Sequence, residues 1–183
     1  MLSRAMRHFA LSAVGRDRPG IVAAITRVLL DHEVNLEDSQ MSILQGHFAM
    51  MLILGAAGET DEAVLRRDLE YTGEQLGLEA VSLAPLDEAP DAEETAPSHI
   101  VSVYGVDHPG IVHAVSSALA ERDITITDLE TRVVGAADAP IYAVVLEVVL
   151  KPGTAAEVEA ALGATGGEQG VEVSLRPLEA DTL

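Results

Sequence analysis

The chain has no cysteine and no tryptophan, and Lys151 is the only lysine among its 183 residues. Without cysteine it cannot form disulfides, use thiolate chemistry or hold a cysteine-based zinc site. Eleven basic residues stand against 30 acidic ones, which gives a formal net charge of −19. Because nucleic acids and anionic membranes attract proteins mainly through Lys and Arg, we expect no direct contact with either.

Long apolar runs are also missing. No stretch approaches the roughly 18 consecutive apolar residues that a membrane-spanning helix needs. The apolar run near the N-terminus is interrupted at residues 15–17, which is typical of a first strand rather than of a signal peptide. We therefore expect a soluble cytoplasmic protein. Two Phe and three Tyr are its only aromatic residues, so the core must be mainly aliphatic.

An internal repeat organises the sequence. GRDRPGIV begins at Gly15 and GVDHPGIV begins at Gly105, and ten of the 31 residue pairs from 12/102 to 42/132 are identical. The repeat predicts two small domains, residues 1–84 and 99–178, each with its own core. Residues 85–98, with three prolines and five acidic residues, are predicted to be a solvated linker, and 179–183 a tail.

Both repeats show the predicted element order βαββαβ. The first has strands at 7–14, 34–44, 47–54 and 79–83, and helices at 20–32 and from a Thr60 cap to Gly77, with a tight turn at Gln45 and Gly46. The second has strands at 100–104, 124–134, 141–150 and 171–175, helices at 110–122 and from a Thr154/Glu157 capping box, a loose turn at 135–140 and fraying at 163–170. This order predicts an α+β protein of two ferredoxin-like units, each an antiparallel sheet with helices on one face.

The third strand of each unit is apolar at nearly every position. HFAMMLIL and IYAVVLEVVL do not alternate with polar residues, as a strand with one face in water would. We expect the second face to be covered by the other repeat, a second chain or a partner, and we predict a homodimer. The alternative is a central strand with a modestly exposed apolar face.

The repeated Asp-x-Pro-Gly-Ile-Val loop lies where the first strand turns into the first helix. Unpaired N–H groups and the positive end of the helix dipole suit a carboxylate, and Gly20 lets a ligand approach the backbone. Asp17 could accept a hydrogen bond from a ligand's ammonium group, so together these groups match an α-amino acid. The alternative is that Asp17 and Asp107 serve only to cap their helices.

The βαββαβ order, the DRPGIV and DHPGIV loops and the VNLEDS strand together resemble the ACT domain, a small-molecule-binding regulatory module. The resemblance covers residues 7–84 and 99–177, and it implies an amino-acid site where the loop of one unit meets the second strand of a neighbouring unit. The ligand residues it implies are Asp17, Arg18, Pro19, Gly20, Ile21 and Asn35 in the first repeat, and Asp107, His108, Pro109, Gly110, Ile111 and Thr125 in the second. Because Thr125 stands where the first repeat has Asn35, the two sites are not expected to be equivalent. Arg18 and His108 would either lean over a bound carboxylate or point into solvent.

Two such units with no catalytic or DNA-binding domain resemble the glycine cleavage repressor group of ACT proteins. The resemblance implies a non-enzymatic sensor of a glycine- or serine-like amino acid, acting by contact with a regulator protein or an enzyme. A ligand-free interaction module and a regulatory subunit that acts in trans remain alternatives. The six histidines are scattered and Ser116 lacks a His-Asp pattern, so we expect no metal, no cofactor and no catalytic residue.

Overall fold

A computed structural model of the chain describes residues 6–86, 96–136 and 139–178. The chain separates into two compact units, Met1–Ala89 and Pro90–Leu183. Pro85 and Leu86, which the sequence placed in the linker, form the end of a strand. Residues 87–95 of that linker and the 179–183 tail lie outside the described residues.

Unit 1 has the order β1, α1, β2, β3, α2, β4. The elements are β1 (Met6–Arg16), α1 (Ile21–Asp31), β2 (Asn35–Leu44), β3 (His47–Ala57), α2 (Glu62–Leu76) and β4 (Leu78–Leu86). The four strands form an antiparallel sheet in the order β2-β3-β1-β4. The tight turn at Gln45 and Gly46 is confirmed, with both residues at positive φ, and Gly77 ends α2 in the left-handed conformation.

Unit 2 repeats this topology. Its elements are β5 (His99–Gly105), α3 (Ile111–Ala120), β6 (Thr125–Ala136), β7 (Ala139–Val149), α4 (Ala155–Gln169) and β8 (Glu172–Pro177). The strand order is β6-β7-β5-β8, again antiparallel. The predicted α+β class, with two βαββαβ units, is therefore confirmed.

Each unit has one aliphatic core between its helices and one face of its sheet. In unit 1 the core joins Phe9 and Leu11 of β1 to Ile25 of α1 and Leu65 of α2, and in unit 2 it includes Val101 of β5. On β3 the burial alternates, with Met50 and Leu52 buried and Met51 exposed. The second face of this sheet is thus open within the unit, and its cover by a second chain or partner stays a prediction.

Four local predictions were wrong. The side chain of Asp61, not Thr60, caps α2, by accepting from the amides of Ala63 and Val64. Thr154 precedes α4, but its hydroxyl donates to the carbonyl of Lys151 and forms no capping box. The glycine-rich segment 163–170 does not fray, because α4 continues to Gln169, with Gly170 as its left-handed C-cap. The loose turn at 135–140 is largely strand, since Gly135 and Ala136 pair with Pro140 and Ala139; residues 137–138 lie outside the described residues.

Candidate functional site

The loop before α1 presents backbone amides that no side chain caps. Gly20 is the N-cap residue, with φ 97° and ψ −8°, and it has no side chain to offer. Gly110 takes the same role before α3, with φ 109° and ψ −17°. Neither helix start receives a side-chain cap hydrogen bond, so helix capping does not explain Asp17 and Asp107. No side chain caps the amides of the first helical turn in either unit, and such amides are groups that can bind an anion.

The loop of unit 1 is held against the β2–β3 turn. The N–H of Asp17 donates to the carbonyl of Gly46 at 2.9 Å. This bond leaves the side chain of Asp17 exposed beside the helix start. The carboxylate of Asp17 and the amides at the start of α1 thus lie at the rim of the same cleft. An α-amino acid requires these two kinds of partner, one for its ammonium group and one for its carboxylate.

A cleft of about 490 Å³ opens at this rim in unit 1. Its walls come from the loop, the first turn of α1, β2 and β3. They comprise Asp17, Arg18, Pro19, Gly20, Ile21, Val22, Ala23, Met41 and Phe48. Five of the six predicted residues of this unit therefore lie together. Ile21 is 2% exposed, so it belongs mainly to the core and offers the cleft little side-chain surface.

The corresponding cleft of unit 2 measures about 330 Å³. It is lined by Asp107, His108, Pro109, Gly110, Ile111, Val112, His113 and Tyr142. Five of the six predicted residues of this unit also lie together, and Ile111 is buried in the same way as Ile21. The repeated Asp-x-Pro-Gly loop therefore lines a cleft in each of the two units.

Arg18 and His108 line their clefts, and their polar ends contact backbone carbonyls instead of pointing freely into solvent. Whether either side chain leans over a bound carboxylate stays a prediction. The guanidinium of Arg18 donates to the carbonyl of Gln75, in the last turn of α2, at 3.2 Å. The Nε2 of His108 lies 2.9 Å from the carbonyl of Gln169, the last residue of α4. In both units a loop side chain that can carry a positive charge thus anchors the loop to the C-terminal end of the second helix, where the helix dipole is negative.

His108 makes a second hydrogen bond, with its Nδ1 3.1 Å from the carbonyl of Pro109. Both partners are acceptors, so both ring nitrogens donate when the imidazole carries its proton. The bonds to Gln169 and then to Pro109 raise the pKa of His108 above its ordinary value of 6.5, and the nearby charge of Asp107 adds to the effect. The loop of unit 2 therefore depends on a titratable anchor, whereas the Arg18 anchor of unit 1 keeps its charge.

Asn35 and Thr125 do not join the loops of their own units. Asn35 pairs with Gly55 at one end of β3, while the Asp17 loop follows the pairing of Arg16 with His47 at the other. His47 and Gly55 are eight steps apart along β3, which corresponds to about 26 Å at about 3.3 Å per residue. The cause is the topology, since α1 carries the chain back across the sheet before β2 begins. A site that combines Asn35 with this loop would need a second unit or chain, and this part of the prediction stays untested.

Several lining residues were missed from the sequence. Met41 and Phe48 in unit 1, and His113 and Tyr142 in unit 2, had not been assigned to a site. A signal for Phe48 was present, because the predicted turn at Gln45 and Gly46 returns the chain next to the end of the first strand. Among the described residues no group of three or more His, Asp or Glu is placed to hold a metal ion. No helix in the described ranges is long and apolar enough to cross a membrane.

Comparison with known protein families matches the ACT domain to residues 7–82 and 99–167. The protein is thus defined as a tandem ACT-domain protein. It also shares 38% identity over 78 residues with UPF0237 protein MK1213 of Methanopyrus kandleri, a match that covers 42% of this chain and 86% of that protein. The chain belongs to the UPF0237 family of ACT-domain proteins.

Two solved structures match almost the whole chain. A protein from Galdieria sulphuraria described only as unknown is 28% identical, with a TM-score of 0.80 and coverage of 95% of this chain and 99% of that one. A candidate glycine cleavage system transcriptional repressor is 18% identical, with a TM-score of 0.70 and coverage of 94% and 98%. At this identity the second match shows the shared tandem fold alone, and it agrees with the resemblance expected from the sequence.

One enzyme also contains a similar region. Phosphoserine phosphatase SerB2 of Mycobacterium tuberculosis is 24% identical over 167 residues, which cover 90% of this chain and 39% of the enzyme. The chain thus spans well under half of that protein.

Proposed function

We propose that this chain is a non-enzymatic regulatory protein, similar to a glycine cleavage repressor, that binds a free α-amino acid and acts by contacting another protein. One observation carries the proposal: in each unit, uncapped helix-start amides and an acidic side chain meet at the rim of a cleft. A glycine- or serine-sized ligand suits the unit 2 cleft, whose volume of about 330 Å³ is the smaller of the two. Asp107 would accept from the ligand's ammonium group, and the amides at Gly110 and Ile111 would donate to its carboxylate.

The surface beside the unit 1 cleft supports a role in protein contact. Edge strand β2 carries four exposed apolar side chains, Leu36, Met41, Ile43 and Leu44, and the last three lie in its second half. Exposed apolar groups on an unpaired sheet edge are typical of surfaces that another protein covers. The net charge of −19 favours a regulator protein or an enzyme over nucleic acid as the partner.

We place this sensor in the cytoplasm as a homodimer, in which the Asp17 loop of one protomer and Asn35 of its partner protomer would complete a site. Sedimentation equilibrium of the full chain tests the dimer. A mass that stays at the monomer's 19.2 kDa at all concentrations would contradict it.

The proposal is tested by a thermal-shift screen of the full chain against the 20 common amino acids at millimolar concentration. A ligand at 100 times its Kd stabilises the folded state by about 2.7 kcal/mol, which gives a clear rise in Tm. Asp17→Asn and Asp107→Asn each keep the side-chain size but remove the charge, so each should reduce the rise. Asp123→Asn, an exposed aspartate away from both clefts, is the matched control and should leave it unchanged.

If no amino acid changes the melting temperature, the chain is a ligand-free interaction module and the sensor proposal fails. Hydrolysis of a phosphate ester by the purified chain alone would contradict the non-enzymatic role.

The likeness to part of a phosphoserine phosphatase favours one second candidate, a regulatory subunit that acts in trans on an enzyme of amino-acid metabolism. Adding the chain to such an enzyme, with and without amino acid, distinguishes the two. A change in the enzyme's rate that requires the chain would favour the second candidate over contact with a transcriptional regulator.

A further inference from the structure

The two clefts share the same loop but differ in their walls. The strand register identifies equivalent positions, because Gly15 pairs with Phe48 and Gly105 pairs with Tyr142. Phe48 of unit 1 therefore corresponds to Tyr142 of unit 2. On the first helix, three residues after the N-cap glycine, Ala23 corresponds to His113.

Strands β2 and β6, which lie next to β3 and β7, also differ by an exchange of an apolar for a polar residue. Met41 on β2 pairs with Met50, two residues beyond Phe48, and Thr131 on β6 pairs with Val144, two residues beyond Tyr142. Met41 is thus replaced by Thr131. All three exchanges from unit 1 to unit 2 replace an apolar side chain with one that bears a polar group, although Thr131, unlike Met41, does not line its cleft. The cleft volume is about 490 Å³ in unit 1 and about 330 Å³ in unit 2.

Polar groups in the unit 1 cleft are confined to its rim. The guanidinium of Arg18 is engaged with the carbonyl of Gln75, so Asp17 and the helix-start amides are the groups left for a ligand's charged ends. Beyond them the ligand meets Ala23 and Met41, which offer no hydrogen-bond partner apart from the weak thioether. Phe48 is 2% exposed and, like Ile21, belongs mainly to the core behind the cleft. A polar ligand side chain would lose its hydration there without compensation.

We propose that the unit 1 cleft takes an α-amino acid with an apolar side chain, such as leucine or methionine, while the unit 2 cleft takes one with a short or polar side chain. This inference rests on the proposed amino-acid sensing and adds to it a division of ligands between the two repeats. Met41 is 52% exposed, and it is the side chain that a bound apolar group would cover. The protein therefore responds to two classes of amino acid rather than to one ligand bound twice.

Titration calorimetry of the full chain with leucine, methionine, glycine and serine tests the division, and NMR shifts of the Gly20 and Gly110 amides assign each event to its unit. One methylene in an apolar pocket changes affinity by about tenfold or more. We therefore expect leucine and methionine to bind unit 1 at least about tenfold more tightly than glycine does. Unit 2 should show no such preference.

Met41→Thr installs the residue of the second repeat and should reduce this tenfold preference to about twofold or less, with glycine binding unchanged. Met51→Thr is the matched control, because Met51 is 53% exposed but lies on the opposite face of the sheet. It should keep the preference in full. The reciprocal Thr131→Met should raise the affinity of unit 2 for leucine.

The outcomes separate this inference from the proposed function. Glycine or serine binding unit 1 as tightly as leucine, or Met41→Thr and Met51→Thr behaving alike, would overturn the division while leaving amino-acid sensing intact. If none of the four amino acids binds either unit, both proposals fail.

Discussion

Replacement of Gly20 by alanine should destabilise unit 1 through the backbone alone. Gly20 has φ 97°, a conformation that side chains of L-amino acids rarely adopt. A Cβ at this position would meet no atom within 4 Å, so no steric clash adds to the cost. The left-handed conformation costs a residue with a Cβ about 1–2 kcal/mol, and this is the loss in free energy of unfolding that we expect for Gly20→Ala.

Equilibrium urea denaturation of the full chain, followed by circular dichroism, measures this loss, and calorimetry gives the change in Tm. For a domain of roughly 60–100 residues, 1 kcal/mol corresponds to about 4–8 °C, so the transition of unit 1 should fall by about 4–16 °C. Gly20→Asn should lose less, because asparagine tolerates the left-handed region better than alanine does.

Gly163→Ala provides the opposite control. Gly163 lies inside α4 with open space where the Cβ of an alanine would stand, so this substitution should stabilise unit 2 by about 0.4–1 kcal/mol. A change of less than about 0.5 kcal/mol in the free energy of unfolding for Gly20→Ala would contradict the left-handed conformation of Gly20. It would also contradict the position of the α1 amides that depends on this conformation.

Two further predictions concern the loop anchor and the helix caps. Because the pKa of His108 is raised in the folded state, its stabilising effect is complete below the unfolded pKa and is lost as pH rises through the folded value. The Tm advantage of the wild type over His108→Gln should therefore shrink as pH rises above the ordinary histidine pKa of 6.5. His108→Arg should keep its Tm over the same range. A wild-type advantage that stays constant with pH would contradict the anchor. Asp61→Ala should cost about 1 kcal/mol of unfolding free energy because it removes two bonds to helix-start amides, and Thr154→Ala should cost clearly less. Equal losses in urea denaturation would show that Thr154 is a cap after all.

Much of the fold could be predicted because its signals are local. The repeat, the Asp-x-Pro-Gly loops and the turn at Gln45 and Gly46 each depend on a few adjacent residues, and all appear in the structure. The α2 cap was missed because Thr60 and Asp61 are both good capping residues, and only the backbone path decides which one meets the free amides.

The site was predicted less completely, because its walls come from residues far apart in sequence. Arg18 reaches Gln75 and His108 reaches Gln169, and both contacts depend on where a second helix ends after packing on the sheet. The resemblance assigned Asn35 to a site shared with the loop of a neighbouring unit, which stays a prediction; within its own unit Asn35 lies at the far end of the sheet from the loop. Sequence motifs identified the loops, and tertiary structure determined what surrounds them.

The most direct test of amino-acid sensing is to follow the backbone amides of Gly20, Ile21, Gly110 and Ile111 by two-dimensional NMR during titration with amino acids. We predict saturable shifts at these helix-start amides, with smaller changes at Gly46 and none at the solvent-exposed Gly163. Asp17→Asn should weaken the response of unit 1, and Asp107→Asn that of unit 2. Saturable binding that leaves all four amides unmoved, or no binding of any amino acid at millimolar concentration, would contradict the proposed site.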